Sequence, residues 1–319
     1  MESSPRNYSI KRTCAQIVAI ILLGLVAIEI VLRLAGFESF PLFLADRDLG
    51  YIPAPNQHGA FLRTYRWRYN EYSMGASSFH PTEHKKNILL LGDSIVMGGN
   101  PIDEPQKLGP QLQKQEGSDC AVWPASANSW SFLNEKAYLD CNPSILQAID
   151  TLVWIFNSGD FQTKSIWFSD RYHPRAYPLW LTGFVFDKYM MPLSWERYLP
   201  QKWRTLFPNV SNIPIDAAWG EFEQYISSLQ RRPNHPKLLI CWYPTVQELE
   251  FERKKTPPQS WNQLTKKMES FTSQNQVPFL ELTHEEEWNS LFYRDDIHPT
   301  AEGYSLFAKI LYQHLSHIP

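Results

Sequence analysis

Five short apolar runs separated by helical patterns constrain the fold of this chain more than any other feature of its sequence. The runs are NILLLG (87–92), CAVWPAS (120–126), TLVWIFNS (151–158), KLLICWYP (237–244) and VPFLELT (277–283). Each is nearly continuous, which is typical of strands buried on both faces of a parallel sheet. Helical patterns lie between or after them, at 104–115, 132–139, 215–231, 261–273 and 301–315. The alternation predicts a three-layer, doubly wound α/β domain with a mainly parallel five-stranded sheet.

The N-terminal run CAQIVAIILLGLVAIEIVLRL (14–34) is long enough to cross a bilayer, for which about 20 residues are needed. Only Glu29 and Arg33 interrupt it, both late in the run. Three basic residues precede it, namely Arg6, Lys11 and Arg12. The positive-inside rule then keeps residues 1–13 in the cytoplasm and places the following residues outside it. We predict an uncleaved, single-pass signal anchor in the inner (cytoplasmic) membrane, with the domain on the periplasmic side. The alternatives are a cleaved signal peptide, a buried core helix, or an anchor facing the ER lumen.

Charge and cysteine content limit the classes of partner and cofactor. The net charge is −3 and the pI is about 6.3, so the sequence lacks the basic excess of a nucleic-acid-binding protein. The four cysteines form no CxxC motif or Cys/His cluster, and we therefore expect neither a metal nor a cofactor. Outside the cytoplasm Cys120 and Cys141 can form a disulfide, whereas Cys241 lies in an apolar run that predicts a buried strand thiol.

Two segments stand apart from the alternating pattern. Residues 35–85 form a juxtamembrane extension that is rich in turn residues and predicts a few short strands at most, ahead of a domain at 86–319. An insertion at 161–210 is rich in Phe, Trp and Tyr and also carries Arg171, Arg175, Arg197 and Arg204. Several interpretations of this insertion are open. It can be a helical excursion whose aromatic side chains simply pack on the domain. It can also be a lid over the site, a carbohydrate platform, or a surface that rests on the membrane or a partner.

A serine follows the first predicted strand of the domain, in LLLGDSIVMGG. Gly92 permits a tight turn there, and Ser94 lies where a strand turns into a helix. At that place a hydroxyl is exposed, and the N-terminal end of the helix favours a developing negative charge. Gly, Asp and Ser are also common turn residues, so an ordinary turn is the alternative.

A second polar motif, YRDDIHPTAEGY, precedes the last predicted helix, which Thr300 can cap. His298 can accept a proton from a serine, while Asp295 orients the imidazole and stabilises its charged form. Asp296 is the adjacent alternative, and an exposed loop before a helix is the simpler interpretation of the motif alone. Both motifs are predicted to lie at the carboxyl ends of strands, where parallel sheets build their sites.

Together, LLLGDSIVMGG and RDDIHPTAEGY resemble the SGNH (GDSL-type) hydrolases over residues 86–317. The resemblance implies that Ser94 is the nucleophile, His298 the base and Asp295 its orienter. It also implies an oxyanion hole that includes the backbone N–H groups of Ser94 and of Ser129, which stands at a family glycine in VWPASANSW.

The third family block, Gly-x-Asn-Asp, differs in this chain, which has FNSGDF. Asp160 matches, but Gly159 stands at the position of the family's oxyanion asparagine, and Asn157 lies two residues earlier. Either Asn157 takes that role or one oxyanion donor is missing, a loss that typically lowers the rate 10²–10³-fold.

The resemblance implies a membrane-anchored serine ester hydrolase that needs no cofactor and acts on O-acyl groups, O-acetyl foremost, of an extracytoplasmic glycan. The segment 35–85 is similar to the N-terminal extension of membrane-anchored SGNH proteins associated with cell-surface polysaccharides. The alternatives are acyl transfer to glycan hydroxyls by the same triad, a non-catalytic glycan-binding or assembly protein on this scaffold, and hydrolysis of lipid esters.

Overall fold

The computed structural model describes residues 5–161, 163–191, 215–254 and 260–318. Within them the strands are β1 (Phe43–Asp46), β2 (Gly50–Pro53), β3 (Gln57–Phe61), β4 (Tyr65–Tyr69), β5 (Lys86–Gly92), β6 (Cys120–Ser126), β7 (Thr151–Phe156), β8 (Lys237–Trp242) and β9 (Phe279–Glu281). The α-helices are α1 (Pro5–Leu34), α2 (Ser94–Met97), α3 (Leu108–Glu116), α4 (Phe132–Cys141), α5 (Pro143–Ala148), α6 (Leu181–Val185), α7 (Ile215–Gln230), α8 (Val246–Lys254), α9 (Ser260–Gln274) and α10 (Ala301–Leu315).

The central sheet has five parallel strands in the order β6–β5–β7–β8–β9. Numbered within the sheet, this is the doubly wound order 2-1-3-4-5. The order reverses between β5 and β7, where Leu90 pairs with Val153. In such sheets ligands bind beyond the carboxyl ends of the strands at this switch point. The predicted α/β class and five-stranded parallel sheet are confirmed.

Successive residues of the strands pack on opposite faces of the sheet, and both faces are buried. Leu89 and Leu91 lie in one hydrophobic core with residues of α4, α7 and α9. Ile88 and Leu90 lie in the other, with residues of α3, α8 and α10. This explains why each strand is a continuous apolar run, since neither face of a strand meets water.

Most predicted elements agree with the structure to within a few residues, and α10 agrees at both ends. The predicted helix 104–115 instead divides into a 3₁₀ turn, Glu104–Gln106, and α3, because extended backbone at Lys107 separates them. The sequence pattern does not predict α8, whose segment VQELEFERK is mostly charged. Among its residues with described side chains, Leu249 joins the core.

The extension before the sheet forms two antiparallel hairpins, β1–β2 and β3–β4, so the prediction of a few short strands is confirmed. The disulfide that the sequence allows between Cys120 and Cys141 is not formed, and both residues are free thiols. Cys120 packs in the core with α3 and α10, whereas Cys141 is exposed at the end of α4, which packs on the other face of the sheet. Cys241 is buried in β8, as predicted.

The segment Arg12–Leu34 of α1 is long and apolar enough to cross a membrane, and none of it is buried in the fold. The aromatic insertion is described up to Met191 and includes α6 and a π-helical turn, Phe186–Met190. The remainder of the predicted insertion, 192–210, with Arg197 and Arg204, lies outside the described residues.

Candidate functional site

Ser94 is the first residue of α2, directly beyond the carboxyl end of β5. Asp93 caps this helix, since its Oδ1 accepts a hydrogen bond from the Ile95 N–H at 2.8 Å. Gly92 is required by close packing: a Cβ there would lie 2.7 Å from Cγ2 of Val96. Because α2 has only four residues, its dipole is small, and the backbone N–H groups themselves must supply any stabilisation of an anion.

The structure brings Ser94, His298 and Asp295 into one hydrogen-bonded chain. Nε2 of His298 lies 3.0 Å from Oγ of Ser94, although 204 positions separate the two residues. Nδ1 of the same imidazole lies 2.9 Å and 3.0 Å from the two carboxylate oxygens of Asp295. These distances fit an imidazole that donates to Asp295 through Nδ1 and accepts the serine proton at Nε2.

The turn that carries Asp295 and His298 is closed by its own backbone. The Arg294 N–H donates to the His298 carbonyl at 2.9 Å, and Oδ1 of Asp295 accepts from the Ile297 and His298 N–H groups at 3.1 Å and 2.8 Å. Partial burial raises the pKa of Asp295, but these N–H groups and the imidazole outweigh it and hold the pKa below its ordinary value. Asp295 therefore stays ionised and ready to orient the imidazole.

Asp296, the alternative orienter, is placed differently. Its backbone carbonyl accepts a hydrogen bond from the Val246 N–H at 2.9 Å, which ties the turn to the start of α8. At the other end of the turn, Thr300 caps α10 through a 3.0 Å bond from the Gly303 N–H, as predicted.

Ser129 follows β6 and has a positive φ of 59°, a left-handed conformation that favours glycine. Neighbouring groups hold the backbone of this loop in place. The hydroxyls of Tyr51 and Ser165 donate to the Asn128 and Ser129 carbonyls, respectively, and the Trp130 indole N–H donates to the Tyr51 carbonyl at 2.8 Å. Ser129 therefore has the left-handed backbone conformation that a glycine adopts most easily.

Asn157 is buried just beyond the carboxyl end of β7. Its Nδ2 donates to Oδ2 of Asp93 at 3.1 Å, and its Oδ1 accepts from the Gly159 N–H at 2.7 Å. An amide nitrogen carries two hydrogens, so the bond to Asp93 leaves one donor for another acceptor. The structure thus places the Asn157 side chain beside Asp93, the residue that precedes Ser94.

Three buried carboxyl groups, Asp93, Glu135 and Asp160, lie close enough to one another to interact electrostatically. Asp160 accepts the Asn157 N–H at 2.7 Å, and Glu135 accepts the Trp154 indole N–H at 2.6 Å. Burial raises the pKa of all three, and their mutual repulsion raises the pKa of Glu135 and Asp160 further. The sequence pattern singled out Asp160 but not Glu135, since a lone acidic residue within a helical pattern resembles a solvent-facing one.

Arg294 is a second residue beside the site that the sequence pattern does not single out. Its Nε lies 3.7 Å from Oδ2 of Asp295, and its Nη1 donates to the Gly98 carbonyl at 3.4 Å. The guanidinium therefore joins the histidine turn to the loop that follows α2. Its position directly before the Asp-x-x-His motif was the only signal in the sequence.

No protein-family model matches the sequence, and no curated protein matches it either. Solved structures with similarity include a lipase/acylhydrolase from Enterococcus faecalis, with 16% identity and a TM-score of 0.44 over 72% of this chain and 95% of that one. Est24, a carbohydrate acetylesterase from Sinorhizobium meliloti, has 13% identity and a TM-score of 0.44 over 73% and 99%. A carbohydrate acetylesterase family member from the same organism has 14% identity and a TM-score of 0.43 over 72% and 99%.

Proposed function

We propose that this chain is a serine ester hydrolase in which Ser94, His298 and Asp295 form the catalytic triad. The observation that carries the proposal is the 3.0 Å distance between Nε2 of His298 and Oγ of Ser94, with Asp295 on the other ring nitrogen. A protein that only binds glycans has no need for a base on a serine or for a carboxylate that orients that base. The geometry therefore supports catalysis over a purely binding role.

The proposed reaction has two steps. Oγ of Ser94 attacks the acyl carbon while Nε2 of His298 takes the hydroxyl proton, and Asp295 stabilises the imidazolium that forms. The tetrahedral oxyanion binds the backbone N–H groups of Ser94 and Ser129 and the second amide hydrogen of Asn157. His298 then returns the proton to the departing alkoxide, and a water activated by the same imidazole hydrolyses the acyl-enzyme.

The exposure of the site supports a short acyl group on a large carrier as the substrate. The Asp295 side chain is 49% exposed and that of His298 is 27% exposed, so the reacting atoms lie near the protein surface. A long acyl chain binds best in a deep apolar pocket, whereas an O-acetyl group on a glycan reaches an open site from solvent. We propose an O-acylated, foremost O-acetylated, glycan outside the cytoplasm as the substrate.

The proposed location follows from the apolar helix and the charges before it. The segment Arg12–Leu34 crosses the inner membrane in this proposal, with the basic residues before it in the cytoplasm. The sheet and the site then lie on the periplasmic side, where cell-surface glycans are exposed.

Kinetics of p-nitrophenyl acetate hydrolysis by the purified full chain in detergent test the triad. We expect Ser94→Ala to lower kcat by about 10³-fold or more, because the nucleophile is removed while the backbone donors remain. Ser118→Ala, at an exposed serine in the loop before β6, is the matched control and should keep full activity. Equal activity of wild type and Ser94→Ala would overturn the proposal.

A further inference from the structure

The final turns of α1 bind the aromatic insertion directly. Oε2 of Glu29 accepts hydrogen bonds from the Thr182 N–H at 2.7 Å and the Thr182 hydroxyl at 2.8 Å, and Oε1 accepts from the Leu181 N–H at 3.0 Å. Nη2 of Arg33 donates to the Leu179 carbonyl at 2.9 Å. The two charges that interrupt the apolar run therefore hold the start of α6 against the end of the membrane helix.

The insertion exposes a group of large apolar side chains beside this contact, which we call the 177–190 surface. Its exposed fractions are Leu179 100%, Met190 70%, Trp180 59%, Phe186 55%, Tyr189 53% and Tyr177 48%. The other side of the same segment faces the protein, since Leu181 is buried and Phe184 stacks on Phe40 with ring centroids 5.2 Å apart. Large apolar side chains that are exposed together within one short segment are typical of an interaction site, and these face away from the fold.

We propose that the 177–190 surface rests on the same bilayer that α1 crosses, with its aromatic side chains at the level of the lipid headgroups. This inference rests on the proposed membrane anchor. Glu29 fixes the start of α6 beside the last turns of α1, which is where the helix leaves the bilayer. Trp and Tyr are enriched at that depth because their rings are apolar and their N–H or O–H groups reach water.

A bilayer fits this surface better than a protein partner because the contact is continuous with the membrane helix itself. A probe at these positions therefore meets lipid without any movement of α6 relative to α1. The same insertion also contacts the loop of Asn128 and Ser129. The Ser165 hydroxyl donates to the Ser129 carbonyl. The His173 ring stacks on Tyr51, with ring centroids 3.8 Å apart, and the Tyr51 hydroxyl donates to the Asn128 carbonyl. Contact of the surface with lipid would therefore also fix how the candidate site faces the membrane.

Quenching of an environment-sensitive fluorophore by lipids tests the proposal on the full chain. We would replace the exposed Cys14 and Cys141 by serine and attach NBD to a single new cysteine in each variant. The test variants are Trp180→Cys and Phe186→Cys. Leu22→Cys, within α1, reports on the anchor. Lys85→Cys, at an exposed position just before β5 and so at the end of that strand away from Ser94, is the control in water. Each protein is placed in nanodiscs of phosphatidylcholine and phosphatidylglycerol, with and without doxyl-labelled phosphatidylcholine.

We expect the probes at 180 and 186 to be blue-shifted and to lose fluorescence to the doxyl lipid, as the probe at 22 does, while the probe at 85 is unaffected. Quenching at 22 with none at 180 or 186 would overturn the inference and leave the anchor intact. No quenching at 22 would show that α1 does not enter the bilayer, and the inference would fail with the anchor. Ester hydrolysis by each labelled protein, measured in parallel, reports separately on the proposed catalysis.

Discussion

Ser129 holds a backbone conformation that a side chain with a Cβ normally avoids. A serine can adopt its φ of 59° at a modest cost in conformational energy, but a β-branched residue fits the left-handed region poorly. The carbonyls of Asn128 and Ser129 are held by hydroxyl groups, so the loop cannot relax without losing these bonds. The conformation, rather than the serine side chain, is what the proposed oxyanion hole needs.

We therefore predict that Ser129→Gly keeps activity and stability. The unfolding free energy of Ser129→Val should be about 1–2 kcal/mol lower than that of Ser129→Gly. The valine variant should also hydrolyse p-nitrophenyl acetate more slowly, since its backbone N–H is displaced. Urea denaturation and steady-state kinetics of the two variants measure both effects. Equal stability of the glycine and valine variants would show that the left-handed conformation does not constrain this position.

Asn157 provides the second prediction at the scale of single residues. If its amide donates to the oxyanion, Asn157→Ala and Asn157→Asp should both lower kcat by roughly 10²–10³-fold with little change in KM, because the bond forms in the transition state. The aspartate variant retains an acceptor for the Gly159 N–H but sets a carboxyl oxygen against Oδ2 of Asp93, so Asn157→Ala is the cleaner test of the donor. Ser158→Ala is the neighbouring control and should keep the wild-type kcat. If kcat falls by less than about threefold in both Asn157 variants, the Asn157 amide does not belong to the oxyanion hole.

At the scale of elements, Glu29 connects two helices that are distant in the sequence. It accepts the first two N–H groups of α6, and loss of such a cap costs about 1 kcal/mol. We predict that Glu29→Ala speeds amide hydrogen exchange at Leu181 and Thr182 by about fivefold, which corresponds to that energy. Glu38→Ala, which removes a different partner of Arg33, should leave exchange in α6 unchanged. Unchanged exchange in Glu29→Ala would show that α6 is held by its other contacts.

How far the sequence predicts these elements depends on how their residues are buried. The five strands were predictable because Leu89, Leu90 and their equivalents are buried on both faces, which leaves a continuous apolar run. The helix α8 was not, because VQELEFERK is mostly charged and has no clear apolar stripe. The late charges Glu29 and Arg33 resembled defects in a membrane helix, and only the tertiary contacts with Leu181 and Thr182 explain them.

In the candidate site, too, the residues in local sequence motifs were predictable, and those placed by tertiary packing were not. Ser94, Asp295 and His298 were predictable because each lies in a short local motif, and the parallel sheet brings the ends of its strands together. Glu135 and Arg294 were not, since their proximity to the site depends on the packing of α4 and on the path of the loop after α2. Ser129 was predicted only through the resemblance, and the positive φ of its backbone could not be predicted from the sequence.

At the scale of the whole molecule, the buried carboxyl groups couple stability to pH. The pKa of Glu135 is raised by burial and by nearby Asp93, whereas in the unfolded chain a glutamate titrates near 4. The folded protein therefore binds more protons between that pH and the higher folded pKa. It follows that this carboxyl contributes stability in acid that is lost as the pH rises through this window.

We predict that Glu135→Gln, which removes this titration, makes the melting temperature less dependent on pH above about 4, where a glutamate of the unfolded chain is ionised. The variant should gain stability relative to wild type as the pH rises. Calorimetry at several pH values measures the slopes, and Glu286→Gln, at an exposed glutamate, should follow the wild-type curve. Parallel curves for wild type and Glu135→Gln would show that Glu135 does not titrate differently on folding.

In the proposed reaction, Ser94 is a nucleophile that His298 activates. The most direct measurement is peptide mass spectrometry of the full chain after reaction with a fluorophosphonate, beside His298→Ala. We predict a phosphonyl adduct on the peptide that contains Ser94, and a loss of labelling rate of at least about 10³-fold in the histidine variant. An adduct on another serine, or equally fast labelling without His298, would contradict the account.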